Sequence, residues 1–334
     1  MRIKFKVLFF VALCVNAVSS FAQVDPHFSQ YYAFPLYLNP SLTGVMDGDY
    51  RATAIYRNQW SNIDKPFSTI GVSGDMTTTK KVNIGISAFN QTAGNGGYNY
   101  LNANLSVAYT GLQFDQEGYE HVSIGLQLGM INRKFDPTKM KFGDQWTQGI
   151  GFDPSSPTID QFSITSSASF TAGAGATFFN ADPGKKLNSY LGFSAMNLTQ
   201  PTDPFLSGGK TKLPIRYTVH GGLRYQINPN AAIIPNFIYM VQGNAQEVEA
   251  GAYLQLKTSE ISNVLAGVNY REYDAIAPYA GLYYKNLLIG LSYDINTSTL
   301  GKAVANTNSF ELSLTVTGRR KENIKNYNFI CPRL

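Results

Sequence analysis

The chain has 334 residues and a net charge of +5, with 15% charged residues against 13% aromatic ones, including 21 Tyr and 21 Phe. Soluble domains carry about 25% charged residues, so this composition argues against an ordinary soluble protein. The positive charge is dispersed apart from Arg319-Arg320-Lys321 and indicates no nucleic-acid site.

In chain order, Arg2, Lys4 and Lys6 precede an apolar run from Val7 to Val18 and the small-x-small triplet Ser20-Phe21-Ala22. This predicts a secretory signal peptide over 1–22, because the run falls short of the roughly 20 residues that a membrane-spanning helix needs. Cys14 follows Leu13, a poor lipid-box residue, so plain secretion is favoured over lipidation. The mature chain is expected to begin near Gln23 and to keep one cysteine, Cys331, which rules out an internal disulfide. No later apolar run approaches 18 residues, which excludes helical spans.

Residues 23–48 form an aromatic segment. Phe28, Tyr31, Tyr32, Phe34 and Tyr37 carry too much apolar surface to stay solvated, and disordered segments are poor in aromatics, so this stretch must dock. Pro26, Pro35 and Pro40 exclude a long helix or a central strand and leave an irregular docked coil. It is expected to pack against a barrel's inner end as a partial plug, with its other side a partner surface formed by those aromatics.

From Asp49 the dominant pattern has period 2, as in Val122, Ile124, Leu126, Leu128 and Met130 against His121, Ser123, Gly125, Gln127 and Gly129. Two-faced strands could also build a soluble sandwich. The polar face, however, is rich in Gly, Ser, Asn and Gln, and the strands often run 10 or more residues. The expectation is therefore an all-β transmembrane outer-membrane barrel over 49–318, with about 14 antiparallel strands. They fall near 49–58, 67–77, 81–91, 98–112, 119–134, 166–180, 188–198, 214–228, 230–242, 246–257, 262–272, 275–285, 286–297 and 308–318. Odd-numbered connections are mostly long and even-numbered ones tight, which places both chain ends, including the tail 319–334, in the periplasm.

Enzyme motifs are not apparent. His27, His121 and His220 lack ligand spacing, and no G-x-S-x-G, P-loop or G-x-G-x-x-G stands in a strand-to-helix context. No metal or cofactor is expected. His121 and Ser123 share a face but read as ordinary lumen residues, and Gly173 and Gly175 as relief of crowding in the wall. Arg216, Arg224, Glu247, Glu249 and Lys257 fall on the polar face of nearby strands, a wall-bracing ion-pair network by preference over a cargo site. The longest connection, 135–165, carries Phe142 and Trp146 as candidate anchors for an external partner.

Several blocks also resemble one family. Asp25-Pro26-His27-Phe28-Ser29-Gln30-Tyr31, Leu38-Asn39-Pro40, Gly44, Tyr56-Arg57-Asn58-Gln59-Trp60, Pro66 and the closing Cys331-Pro332-Arg333-Leu334 resemble the PorP/SprF proteins of the Bacteroidota. Phe34-Pro35-Leu36-Tyr37-Leu38 and the final Leu334 depart from the family's usual residues there. The resemblance implies a non-enzymatic outer-membrane component of the type IX secretion and gliding machinery. Such a protein helps to export or anchor large surface proteins such as adhesins and works with machinery components in the periplasm and outer membrane. The rival is a channel or small-molecule transporter of the porin or fatty-acid-transporter type, distinguished by an open lumen.

Overall fold

The computed structural model describes residues 25–320 except 61–65, 79–80, 95–96, 160–164, 204–210, 300 and 302–306. The expected signal peptide, all but two residues of the tail 319–334 and parts of several connections lie outside the described residues. Fourteen antiparallel strands close into a barrel. They are β1 (Tyr50–Gln59), β2 (Phe67–Met76), β3 (Val82–Ala93), β4 (Tyr98–Gln113), β5 (Glu120–Phe135), β6 (Ser166–Asn180) and β7 (Leu187–Met196). The second half comprises β8 (Arg216–Asn228), β9 (Ala231–Gln242), β10 (Ala245–Ser259), β11 (Ser262–Arg271), β12 (Ala275–Tyr284), β13 (Leu287–Asn296) and β14 (Ser309–Gly318). Every strand boundary lies within two residues of its sequence-based expectation. Neighbours in sequence pair throughout, and β1 closes on β14 from Tyr50 opposite Gly318 to Asn58 opposite Phe310.

The period-2 pattern becomes a wall with two chemistries. On β5, Ile124, Leu126, Leu128 and Met130 point outward and are exposed, while Ser123 and Gln127 point inward and are buried. The outward face has a further order. Tyr217, Tyr239, Tyr270 and Tyr293 ring one end, Tyr50, Tyr109, Tyr225 and Tyr284 ring the other, and Ile, Leu and Val fill the space between. On β8 the two belts are separated by the stretch Tyr217–Tyr225, about 26 Å along a strand at ~3.3 Å per residue. An apolar band of about 25 Å between aromatic girdles is what a membrane barrel presents to lipid.

The end at which β1 begins is called the near end here, and the end at which it finishes the far end. The connections 136–165, 197–215 and 297–308 all stand at the far end, whereas β8–β9, β10–β11 and β12–β13 turn tightly at the near end. Two small ribbons, Trp146–Thr147 with Gly151–Phe152 and Thr202–Asp203 with Thr211–Lys212, decorate the far-end connections.

Ahead of β1, residues 25–49 run inside the barrel as a thread. It is not a featureless coil: Tyr31–Ala33 and Pro40–Leu42 are 3-10 turns, and Pro35–Leu38 is one turn of α-helix. The prolines cause this. Pro35 and Pro40 stand at the first position of their turns, where no N–H is needed and φ is already helical. Asn39 caps the last turn, its side chain accepting from Ser41 N.

Candidate functional site

The lumen is the site, and the thread is what it holds. Its path is fixed by partners at three levels. At the far end, the Asp25 carboxylate accepts from Tyr100 Oη (2.8 Å), Asn197 Nδ2 (3.0 Å) and Gln242 Nε2 (3.1 Å), and lies 3.5 Å from Arg216 Nη1. At mid-depth, Ser194 Oγ donates to Leu38 O at 2.8 Å and Ser123 Oγ to Ser41 O at 2.6 Å. At the near end, Gly44 N donates to Asp75 Oδ2 (2.7 Å), which also receives Arg51 Nη2 (2.8 Å), and Asn83 Nδ2 donates to Thr43 O (3.1 Å).

Space is made for it by missing side chains. A Cβ on inward-facing Gly125 would run into the backbone of Pro40 and Ser41, and one on Gly175 would run into Asn39. Apolar residues meet the thread where the inward face departs from polarity: Ile55, Phe89, Tyr100, Ile131, Ile234 and Ile238 join Phe28, Tyr31, Tyr32, Phe34 and Tyr37 in one core. Within it Phe28 meets Phe34 and Tyr37 edge-on at 5.7 and 5.8 Å, and Tyr32 packs on Tyr253 at 5.0 Å. Tyr31 Oη donates to Asn236 Oδ1 at 2.7 Å.

A buried ionic clamp grips the thread at Ser29. Its hydroxyl donates to Asp294 (2.7 Å) and accepts from Arg57 Nη1 (3.0 Å) and Arg271 Nη1 (2.9 Å). Ser29 N and Gln30 N both donate to the Glu311 carboxylate, at 2.6 and 2.8 Å. Arg57 bridges Glu311 and Asp294, and Arg271 bridges Asp294 (2.6 Å) and Glu249 (3.2 Å). Unpaired, any of these buried charges would be strongly destabilising, so the set holds together only as a unit. His27 completes it. Its Nε2 lies 3.2 Å from Arg57 Nη2, which can only donate, so the ring is neutral with its proton on Nδ1.

A family model described as the type IX secretion system membrane protein PorP/SprF matches residues 20–316, which takes in the whole thread and nearly all of the barrel. The chain belongs to this family. The PorP/SprF chain is thus an outer-membrane β-barrel of the type IX secretion system. No curated protein matches it at a significant level. Among solved structures it is similar to the Ralstonia pickettii toluene transporter TbuX, with 10% identity, 84% of this chain and 91% of that one covered, and a TM-score of 0.48. The P. putida toluene transporter TodX gives 9% identity, 84% and 93% coverage, and a TM-score of 0.48. At such identities and scores nothing of their activity carries over to the PorP/SprF chain.

The five thread aromatics named from sequence are all buried, so in this PorP/SprF barrel they bind the lumen wall and present no face to an outside partner. The thread does not lie across one mouth. It traverses the lumen, which puts Asp25 at the far end and Gly318 at the near end, so the two ends of the described chain do not share a side. Of the five residues expected to form one lumen network, three gather toward the far end with different partners. Arg216 holds Asp25 and Tyr37, Glu247 faces His27 at 3.7 Å, and Glu249 pairs with Arg271. Arg224 and Lys257 stand at the near end around a cavity, where Lys257 pairs with Glu260 at 2.8 Å. Arg57, Arg271, Asp294 and Glu311 are absent from the sequence-based set, although each is a charge on a polar face close to the far end. In the long connection, Phe142 is half-buried, while Trp146 is exposed and packs on Phe152 at 5.9 Å. His121 stacks on Phe179 and Ser123 serves the thread, which gives neither a catalytic arrangement with the other.

Proposed function

We propose that this barrel is a non-enzymatic holding station of the type IX secretion and gliding machinery. It retains a secreted cargo domain, such as an adhesin module, at the cell surface and touches machinery components in the periplasm. The observation that carries this reading is the lumen itself: a thread fixed by a buried clamp suits an anchor and does not suit a conduit. The far end, with its long connections, faces outward and the near end faces the periplasm, following the habit of bacterial barrels. The connection 136–165 then supplies the outer contact, with Trp146 and Phe142 as aromatic anchors of the kind that dominate interfaces once buried. Replacing that connection by a short turn should leave a folded barrel and release cargo from the cell surface into the medium. Unchanged display of all cargo would remove this connection from the proposal. Co-purification of intact barrel with periplasmic machinery tests the near-end contact.

A further inference from the structure

At the near end the thread leaves part of the lumen unfilled. It turns toward β1–β3, where Arg51 donates to Val45 O at 3.2 Å, and the opposite wall keeps a cavity of about 430 Å³. Asp47, Lys185, Arg224, Lys257 and Glu260 give its mouth a mixed charge. One inward step deeper on β9, β10 and β11, the lining changes from Ala232, Gln255 and Asn263 to Ile234, Tyr253 and Leu265, which form a second pocket with Tyr279 beneath Tyr32. A charged mouth thus lies above an aromatic floor whose own space is only about 30 Å³. Between the two levels the Gln255 side chain is 7% exposed, and its Oε1 has no hydrogen-bond partner. A buried amide in that condition needs a group to meet it.

We propose that the occupant is this chain's own C-terminal end, with residues 327–334 seated in the near-end cavity. Three observations point there. β14 finishes at this same mouth, and the Arg319 guanidinium already donates to Asp47 Oδ1 at 2.5 Å, on the cavity's own rim. Residues 321–334 follow, and at up to about 3.3 Å each they reach roughly 46 Å, ample to cross a barrel mouth. Their chemistry also fits. Tyr327, Phe329 and Ile330 suit the apolar part of the lining at Pro183, Pro229, Ala231 and Ala232, Asn328 offers an amide to Gln255, and Arg333 answers Glu260 at the mouth.

The native Cys331 makes this testable in the full chain, because no other cysteine lies beyond the first 22 residues. A single cysteine is placed inside the cavity (Asn263→Cys or Gln255→Cys) or, as control, on the outward face (Leu254→Cys). Native membranes are then treated with a mild oxidant. A disulfide requires the two Cα atoms within about 7 Å, so one forms only where the tail enters the cavity. The expected result is a Cys331 disulfide with at least one inward cysteine, none with the outward one, and loss of the bond in Cys331→Ser. If neither inward variant bonds to Cys331 while both keep the heat-modifiable mobility of a folded barrel, the proposal is overturned. It is overturned equally if the inward cysteines bond to a different protein. The outcome does not depend on the secretion role proposed above.

Discussion

Ser29 is the residue on which the clamp converges, since one hydroxyl meets two arginines and a carboxylate. At Gly125 the argument is steric. Gly125→Val forces a side chain into the Pro40 and Ser41 backbone and should destabilise the protein by about 1–3 kcal/mol in urea titration, as overpacking does. Gly143→Val, where a Cβ meets nothing within 4 Å, should be near neutral. Neither Ser29 nor Arg57 stands out from composition or spacing. Arg57 and Glu311 belong to β1 and β14, the two extremes of the barrel sequence, and only closure brings them face to face.

Among the elements, strands and thread differ in how far sequence reveals them. A strand repeats every two residues, so β5 or β13 can be read from its alternation alone. The thread has no period, and its aromatics indicate burial without direction. Traces of its path do exist in the wall, in inward glycines such as Gly125 and Gly175 and in inward apolar residues such as Ile55 and Ile238, but they gain meaning only once the lumen side is known. Deleting 25–44 while keeping residues 1–24 should vacate the lumen from Asp25 at the far end to the Thr43 and Gly44 contacts at the near end. The reconstituted barrel is then expected to conduct steadily where the intact protein does not. Equal conductance of both would mean that the thread is not what fills the lumen.

At the scale of the whole molecule, the closed barrel and its fourteen strands follow from alternation, strand length and the absence of long apolar runs. The two tyrosine belts were equally present in the sequence, yet they align only when strand registers are known, so Tyr217 and Tyr293 look unrelated in the linear chain. A closed barrel of this kind resists detergent. The protein should migrate differently on a denaturing gel before and after boiling, and recovery in the soluble periplasmic fraction would contradict the membrane assignment.

The seam between β1 and β14 joins the two extremes of the barrel sequence. Arg57 and Glu311 lie directly opposite each other across it, and Glu311 and Ser313 of β14 also hold the backbone and side chain of Gln30. If this ladder, which joins the most distant strands in sequence, is the last to form, the stretch that it encloses can template it. A chain that closed first would have to pull its amino-terminal end through a finished ring, whereas one that lays this stretch down early converts two buried arginines from obstacles into guides. Removal of 25–44 should accordingly slow the final step of refolding far more than it changes the strands that form before it.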